Sequence, residues 1–116
     1  ATALTAAVTP GRAQYHPGMV KGWGNFNVSG TVLASYNVTS IADTGAGQVT
    51  VTWGTDFSSA DYAALGCAQT GASTILDVVV DNDSAPAAGT TRFNCVNSAS
   101  VLADPVEWHV VAFGDQ

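Results

Sequence analysis

From Gln48 to Trp53 every second residue is apolar: Val49, Val51 and Trp53 alternate with Gln48, Thr50 and Thr52. That period of two belongs to a strand with one buried and one wetted face. Ahead of it stand Ser35-Tyr36-Asn37-Val38-Thr39-Ser40-Ile41 and the turn Asp43-Thr44-Gly45-Ala46-Gly47. Two such runs around a Gly-rich turn predict a β-hairpin, and a hairpin needs further strands before its apolar face is buried.

The rest of the chain supplies them. Strands are expected at 19–26, 36–42, 48–53, 62–68, 75–80, 91–96 and 106–113, with turn residues between them and no helical period. The fold class this predicts is all-β, an antiparallel β-sandwich of seven to eight strands. Residues 56–64 leave room for one short helical turn. A chain of 116 residues without internal repeats is one domain. Residues 1–18 are expected to form an N-terminal arm or junction to an upstream shaft or particle, and 19–116 the sandwich. The opening Ala1 to Val8 is apolar but has no preceding basic residue, which makes it a poor signal peptide. It reads as a cut end of a longer chain or as an arm that docks on a neighbour.

Charged residues are 10% of the sequence and hydrophobic ones 47%, against roughly 25% charged in ordinary soluble domains. The surface must therefore be built from Ser, Thr, Asn, Gln and Gly. Arg12, Lys21 and Arg92 are the only fixed cations in a chain of net charge −6. Nucleic-acid binding needs clustered Lys and Arg to displace counterions from phosphates, so that class is excluded. No apolar run approaches the ~20 residues of a bilayer-spanning helix, and membrane insertion is not expected.

Residues 75–80 and 110–113 are apolar at both parities. A second apolar face needs another surface to cover it, and subunit association is the simplest cover. Ile75, Val79, Val111 and Phe113 are accordingly expected at a subunit interface.

Several segments together carry a family resemblance that spans almost the whole chain. They are Ala7-Val8-Thr9-Pro10, then Gly11-Arg12-Ala13-Gln14-Tyr15-His16-Pro17-Gly18, Lys21-Gly22-Trp23, Ser35-Tyr36-Asn37-Val38, Asp43-x-Gly45-x-Gly47, Asp61-Tyr62-Ala63 and the closing Val111-Ala112-Phe113-Gly114-Asp115-Gln116. In these the chain resembles the C-terminal domain of tailed-bacteriophage tail-fibre, head-fibre and spike proteins. The family tends to have alanine where Gly22 stands, and has no fixed cysteines matching Cys67 and Cys95. The resemblance implies a homotrimeric virion module that faces the host, assembled in the bacterial cytoplasm and bound to other virion proteins through its N-terminal arm. Its expected function is attachment to a host-surface glycan or protein receptor. The alternative is a capsid decoration protein or head fibre, which stabilises the particle or mediates weak surface adhesion.

Cys67 shares the parity of Leu65, and Cys95 that of Phe93, so both are expected to face the core. They can be small buried hydrophobes or a disulfide, and assembly in a reducing cytoplasm favours free thiols, with a bridge only later. His16, in Tyr-His-Pro-Gly, is expected to satisfy a nearby carbonyl, and His109 to be half-buried or at an interface. Neither has ligand-spaced Cys, Asp or Glu, so no metal site or cofactor is expected. Asp81-Asn82-Asp83-Ser84 lacks the Gly and distal Glu of a calcium loop and reads as a polar hairpin turn.

Host contact is expected in the polar loops 43–47, 81–89 and 97–104, remote from the arm. Asp81, Asn82, Asp83 and Asn97 are the binding candidates there. Among the aromatic residues, Trp23 and Tyr36 near strand ends are the candidates for stacking on a sugar ring. No catalytic residues are expected: Glu107 is the sole glutamate and has no evident carboxylate partner, and no nucleophile-elbow motif is present.

Overall fold

The computed structural model describes residues 9–13, 15–71 and 74–116. A one-turn helix α1 (Pro10–Ala13) leads into eight strands: β1 (Val20–Asn27), β2 (Val32–Tyr36), β3 (Val38–Gly45), β4 (Gln48–Trp53), β5 (Ala63–Gln69), β6 (Leu76–Val80), β7 (Thr90–Asn97) and β8 (Glu107–Phe113). They make two four-stranded antiparallel sheets, ordered β2-β1-β8-β5 and β3-β4-β7-β6. The chain is an all-β sandwich. Residues 1–8, where the docking arm was expected, lie outside the described residues.

The core forms where the sheets meet, from Phe26, Trp108 and Val110 on one side and Val49, Val51, Trp53, Val78, Phe93 and Cys95 on the other. Each large side chain removed from water contributes roughly 1.5–3 kcal/mol. The two inner faces are complementary in bulk. Gly22, Ala112 and Ala64 occupy one row of the first sheet, and the indole of Trp53 covers Gly22 from the second. Trp53 donates Nε1–H to Thr91 Oγ1 at 3.0 Å, which satisfies both buried groups.

This distribution of bulk overturns one expectation. Small Ala64, Gly66 and Ala68 face inward from β5, while Leu65 and Cys67 are exposed. Gly66 yields its place to Val78, whose Cγ1 stands 2.6 Å from where a Cβ at Gly66 would lie. Cys95 alone of the two cysteines is in the core, and both thiols are free. The disulfide is thereby excluded within the chain, since one sulfur faces solvent from the first sheet and the other the interior from the second.

Two other expectations fail locally. No helical turn forms at 56–64: Phe57 is buried, its N–H donates to Ala88 O and that of Ser58 to Asp115 O, so these backbone groups bond across the fold and not in a helical pattern. Its ring stacks on Tyr62 with centroids 4.0 Å apart. The strand expected at 36–42 is β3, which starts only at Val38; Tyr36 ends an unexpected strand, β2, because the chain leaves the first sheet for the second at Asn37. Asn37 has φ 55°, a left-handed conformation that asparagine tolerates better than most residues.

Strand pairing sorts the loops between two ends. α1, the β4–β5 and β6–β7 loops and residues 114–116 gather at one end, tied by bonds such as Trp53 N to Gly89 O and Gln116 Nε2 to Thr55 O. The β1–β2, β3–β4 and β7–β8 loops gather at the opposite end, where Gly47 N–H donates to Asp104 Oδ1 at 2.6 Å.

Candidate functional site

β1 and β8 fill the middle of the first sheet, so their outward side chains form rows with those of β2 and β5. Tyr36, Trp23, Val111 and Leu65 stand opposite one another in turn and make one row across all four strands. Ala34, Asn25, His109 and Cys67 make the next row, and Phe113 and Ala63 flank the first. Leu65 is 60% exposed and Trp23 40%. Between the rows lies a shallow groove of about 510 Å³.

Charge is almost absent from this face. Of the nine acids, Glu107 alone lies on it, at the far end beside Asn27 and Gln69. His109 Nε2 approaches Gln69 Oε1 at 3.3 Å and Glu107 Oε2 at 3.8 Å. Asn25 Oδ1, in the groove, is shielded and has no hydrogen-bond partner.

The expected interface residues do not form one patch. Val111 and Phe113 belong to this face, whereas Val79 sits on the outer face of the other sheet, next to Asn94 and Arg92. Ile75 is exposed just before β6. Leu65, which completes the apolar row, escaped sequence reasoning because its parity was taken as inward.

Trp23 also borders a second depression, a cleft of about 570 Å³ at the end where the chain enters the sandwich. Tyr15, Trp23 and Tyr36 bring three rings to it, with Asn37, Thr55 and Gln116 as polar groups. Trp23 and Tyr36, singled out separately in the sequence, are direct cross-strand partners. Tyr15 is carried by a series of tight turns: its N–H donates to Arg12 O, Met19 N–H to His16 O, and Gly18 N–H to the His16 ring. His16 is structural, but its Nδ1 accepts a bond from an amide and does not donate to a carbonyl. Asn37 pins the cleft floor through Nδ2–H to Lys21 O at 2.8 Å and its own carbonyl to Gly54 N–H.

The expected loop contacts divide. Asp81 is buried, with Oδ1 accepting from Asp83 N–H and Oδ2 at 3.4 Å from Arg92 Nη1. It holds the β6–β7 turn and is not available to a ligand. Asn82 and Asp83 are exposed, but their loop lies at the end where the chain enters, not remote from it. Asn97 is likewise spent on its own loop, accepting from Ala99 N–H and Val101 N–H. Asn27 makes the same two bonds to Ser29 and Thr31, so one turn design closes two loops at the far end.

Among the described residues, no helix is long and apolar enough to cross a membrane. No family model, curated protein or solved structure matches the chain.

Proposed function

We propose that this chain is a virion module of a tailed bacteriophage, part of a fibre or spike that attaches the particle to its host. It assembles as a homotrimer through the outer face of the β2-β1-β8-β5 sheet. The observation that carries this reading is the uncharged row Tyr36, Trp23, Val111 and Leu65. Copies of a chain with net charge −6 repel one another, and this face lets them approach with the fewest acids opposed. Covering it also removes exposed apolar surface and gives Asn25 Oδ1 a chance of a donor.

The resemblance to phage fibre and spike domains supplies the biological setting. The exposed residues of the far-end loops, Thr44, Ala46, Ser98 and Ala99, are then the surface presented to the host, and three copies raise weak single contacts to useful avidity. The module acts by binding and not by catalysis: its one glutamate lies on an open sheet face beside His109, without a second carboxylate across from it.

Sedimentation equilibrium at micromolar protein tests the assembly. A trimer that becomes a folded monomer on Leu65→Asp supports it; a wild-type chain that stays monomeric overturns it.

A further inference from the structure

We infer that the cleft between Tyr15, Trp23 and Tyr36 is a saccharide site that takes a pyranose unit of a polysaccharide. The cleft shares Trp23 and Tyr36 with the assembly row, whereas Leu65 lies in the row and not in the cleft, so Leu65→Asp separates the two readings.

Three exposed aromatic rings converge on one concavity, with Tyr15 68%, Trp23 40% and Tyr36 53% exposed. Large rings normally serve the core, as Trp53 and Trp108 do here; a cluster of them held at the surface needs a reason. The apolar C–H face of a pyranose stacks on such rings, while its hydroxyls need donors and acceptors at the rim. Asn37, Thr55 and Gln116 provide both kinds of group. No Asp or Glu side chain lines the cleft, and Lys21 does, so a sugar bearing a carboxylate meets no opposing charge.

The site is built in advance. Trp23 and Tyr36 are fixed by β1–β2 pairing, and Asn37, which ties Lys21 to Gly54, sets the cleft wall. Trp and Tyr side chains also have few torsions to immobilise when a sugar stacks on them. The volume, about 570 Å³, falls within the ~300–1,000 Å³ range of small-ligand sites. The cleft lies at the margin of the first sheet, where Tyr36 ends the edge strand β2.

The experiment uses the built-in probe. Trp23 is the exposed tryptophan, and Trp53 and Trp108 are buried, so acrylamide quenching reads the cleft. The probes are oligosaccharides of glucose, galactose, N-acetylglucosamine and glucuronate at millimolar concentration, followed also by saturation-transfer NMR. At least one should shield Trp23 and show transfer to its ring protons. Tyr36→Ala should weaken that binding about tenfold, the effect of one lost stacking contact, and Tyr36→Phe should preserve it. Leu65→Asp, which disrupts assembly and lies outside the cleft, should not weaken it. If no probe shields Trp23 in either the wild type or Leu65→Asp, the saccharide site is refuted while the assembly stands. Sugar-free shielding that rises with protein concentration in the wild type is the mark of the assembly; the same shielding in Leu65→Asp would assign the cleft to a second copy and refute the saccharide site.

Discussion

Gly22 lies directly under the indole of Trp53: a Cβ on Gly22 would stand 2.6 Å from Trp53 Cε3. The alanine that the fibre resemblance leads one to expect at this position is therefore incompatible with tryptophan at 53 unless the sheets part. Gly22→Ala should destabilise by about 1–3 kcal/mol, the usual cost of overpacking, read as a lowered midpoint in urea. Trp53→Phe should be costly alone yet partly rescue Gly22→Ala. Simple additivity of the two would show that the contact is not the cause.

The two cysteines should differ sharply in reactivity. Cys95 is buried, and that burial, followed by the nearby carboxylates of Asp104 and Asp77, pushes its thiol up to about 11 from 9.0. A raised folded-state value means that the folded chain holds the proton more tightly than the unfolded one. Its contribution is intact below pH 9 and is lost as pH rises toward 11, by at most ~2–3 kcal/mol. In the Leu65→Asp chain, where the face bearing Cys67 is uncovered, iodoacetamide at pH 8 should alkylate Cys67 and spare Cys95. Mass spectrometry that finds Cys95 modified at the same rate would contradict its placement.

How far the sequence disclosed this fold depends on where bulk faces. Gln48–Trp53 is legible to the residue, because large apolar side chains alternate with polar ones on a central strand. β5 is misleading: its inward residues are Ala64, Gly66 and Ala68 and its outward ones include Leu65, so reading large as buried inverts the strand. β2 is invisible to the same logic because all five residues are exposed at a sheet edge. Of the site, Trp23 and Tyr36 were expected near strand ends; Tyr36 does end β2, but Trp23 stands in the middle of β1. Their pairing required the register, and the part played by Asn37 required its left-handed backbone.

The second of the twin turns at the far end, after β7, should respond in opposite directions to two changes. Gly30 takes the left-handed position of the first loop with φ 85°, whereas Ser100 is forced into it with φ 61°. A non-glycine residue there costs ~1–2 kcal/mol, partly offset by the greater freedom of glycine when unfolded. Ser100→Gly should stabilise by about 0.5–1 kcal/mol. Asn97→Ala, which removes the acceptor for Ala99 and Val101 N–H, should destabilise by about 1–2 kcal/mol. Thermal melts of the two variants decide the matter, and equal shifts in one direction would contradict the shared design.

Exchange of exposed residues in those loops should separate binding from folding. Thr44, Ala46, Ser98 and Ala99 are exposed, so their substitution should change stability by little, within ~0.5 kcal/mol. Adsorption of phage particles to host cells should fall. Adsorption unchanged by replacement of all four would remove the far-end loops from host recognition.

Assembly should be sensitive to charge placed in the row and indifferent to charge placed on the other sheet. Val111→Asp puts an unpaired carboxylate between Trp23 and Leu65, which costs about 3 kcal/mol or more once the face is covered. Val79→Asp, on the polar outer face of the other sheet, should leave the oligomer intact. Light scattering on both variants that shows the reverse order would place the interface on β6.

Immunogold electron microscopy on phage particles that carry this chain tests the central claim most directly. Gold on fibres or spikes, in clusters consistent with three copies per tip, is the predicted result. Particles that carry no gold would contradict the virion assignment, and gold spread evenly over the capsid shell would replace attachment with decoration.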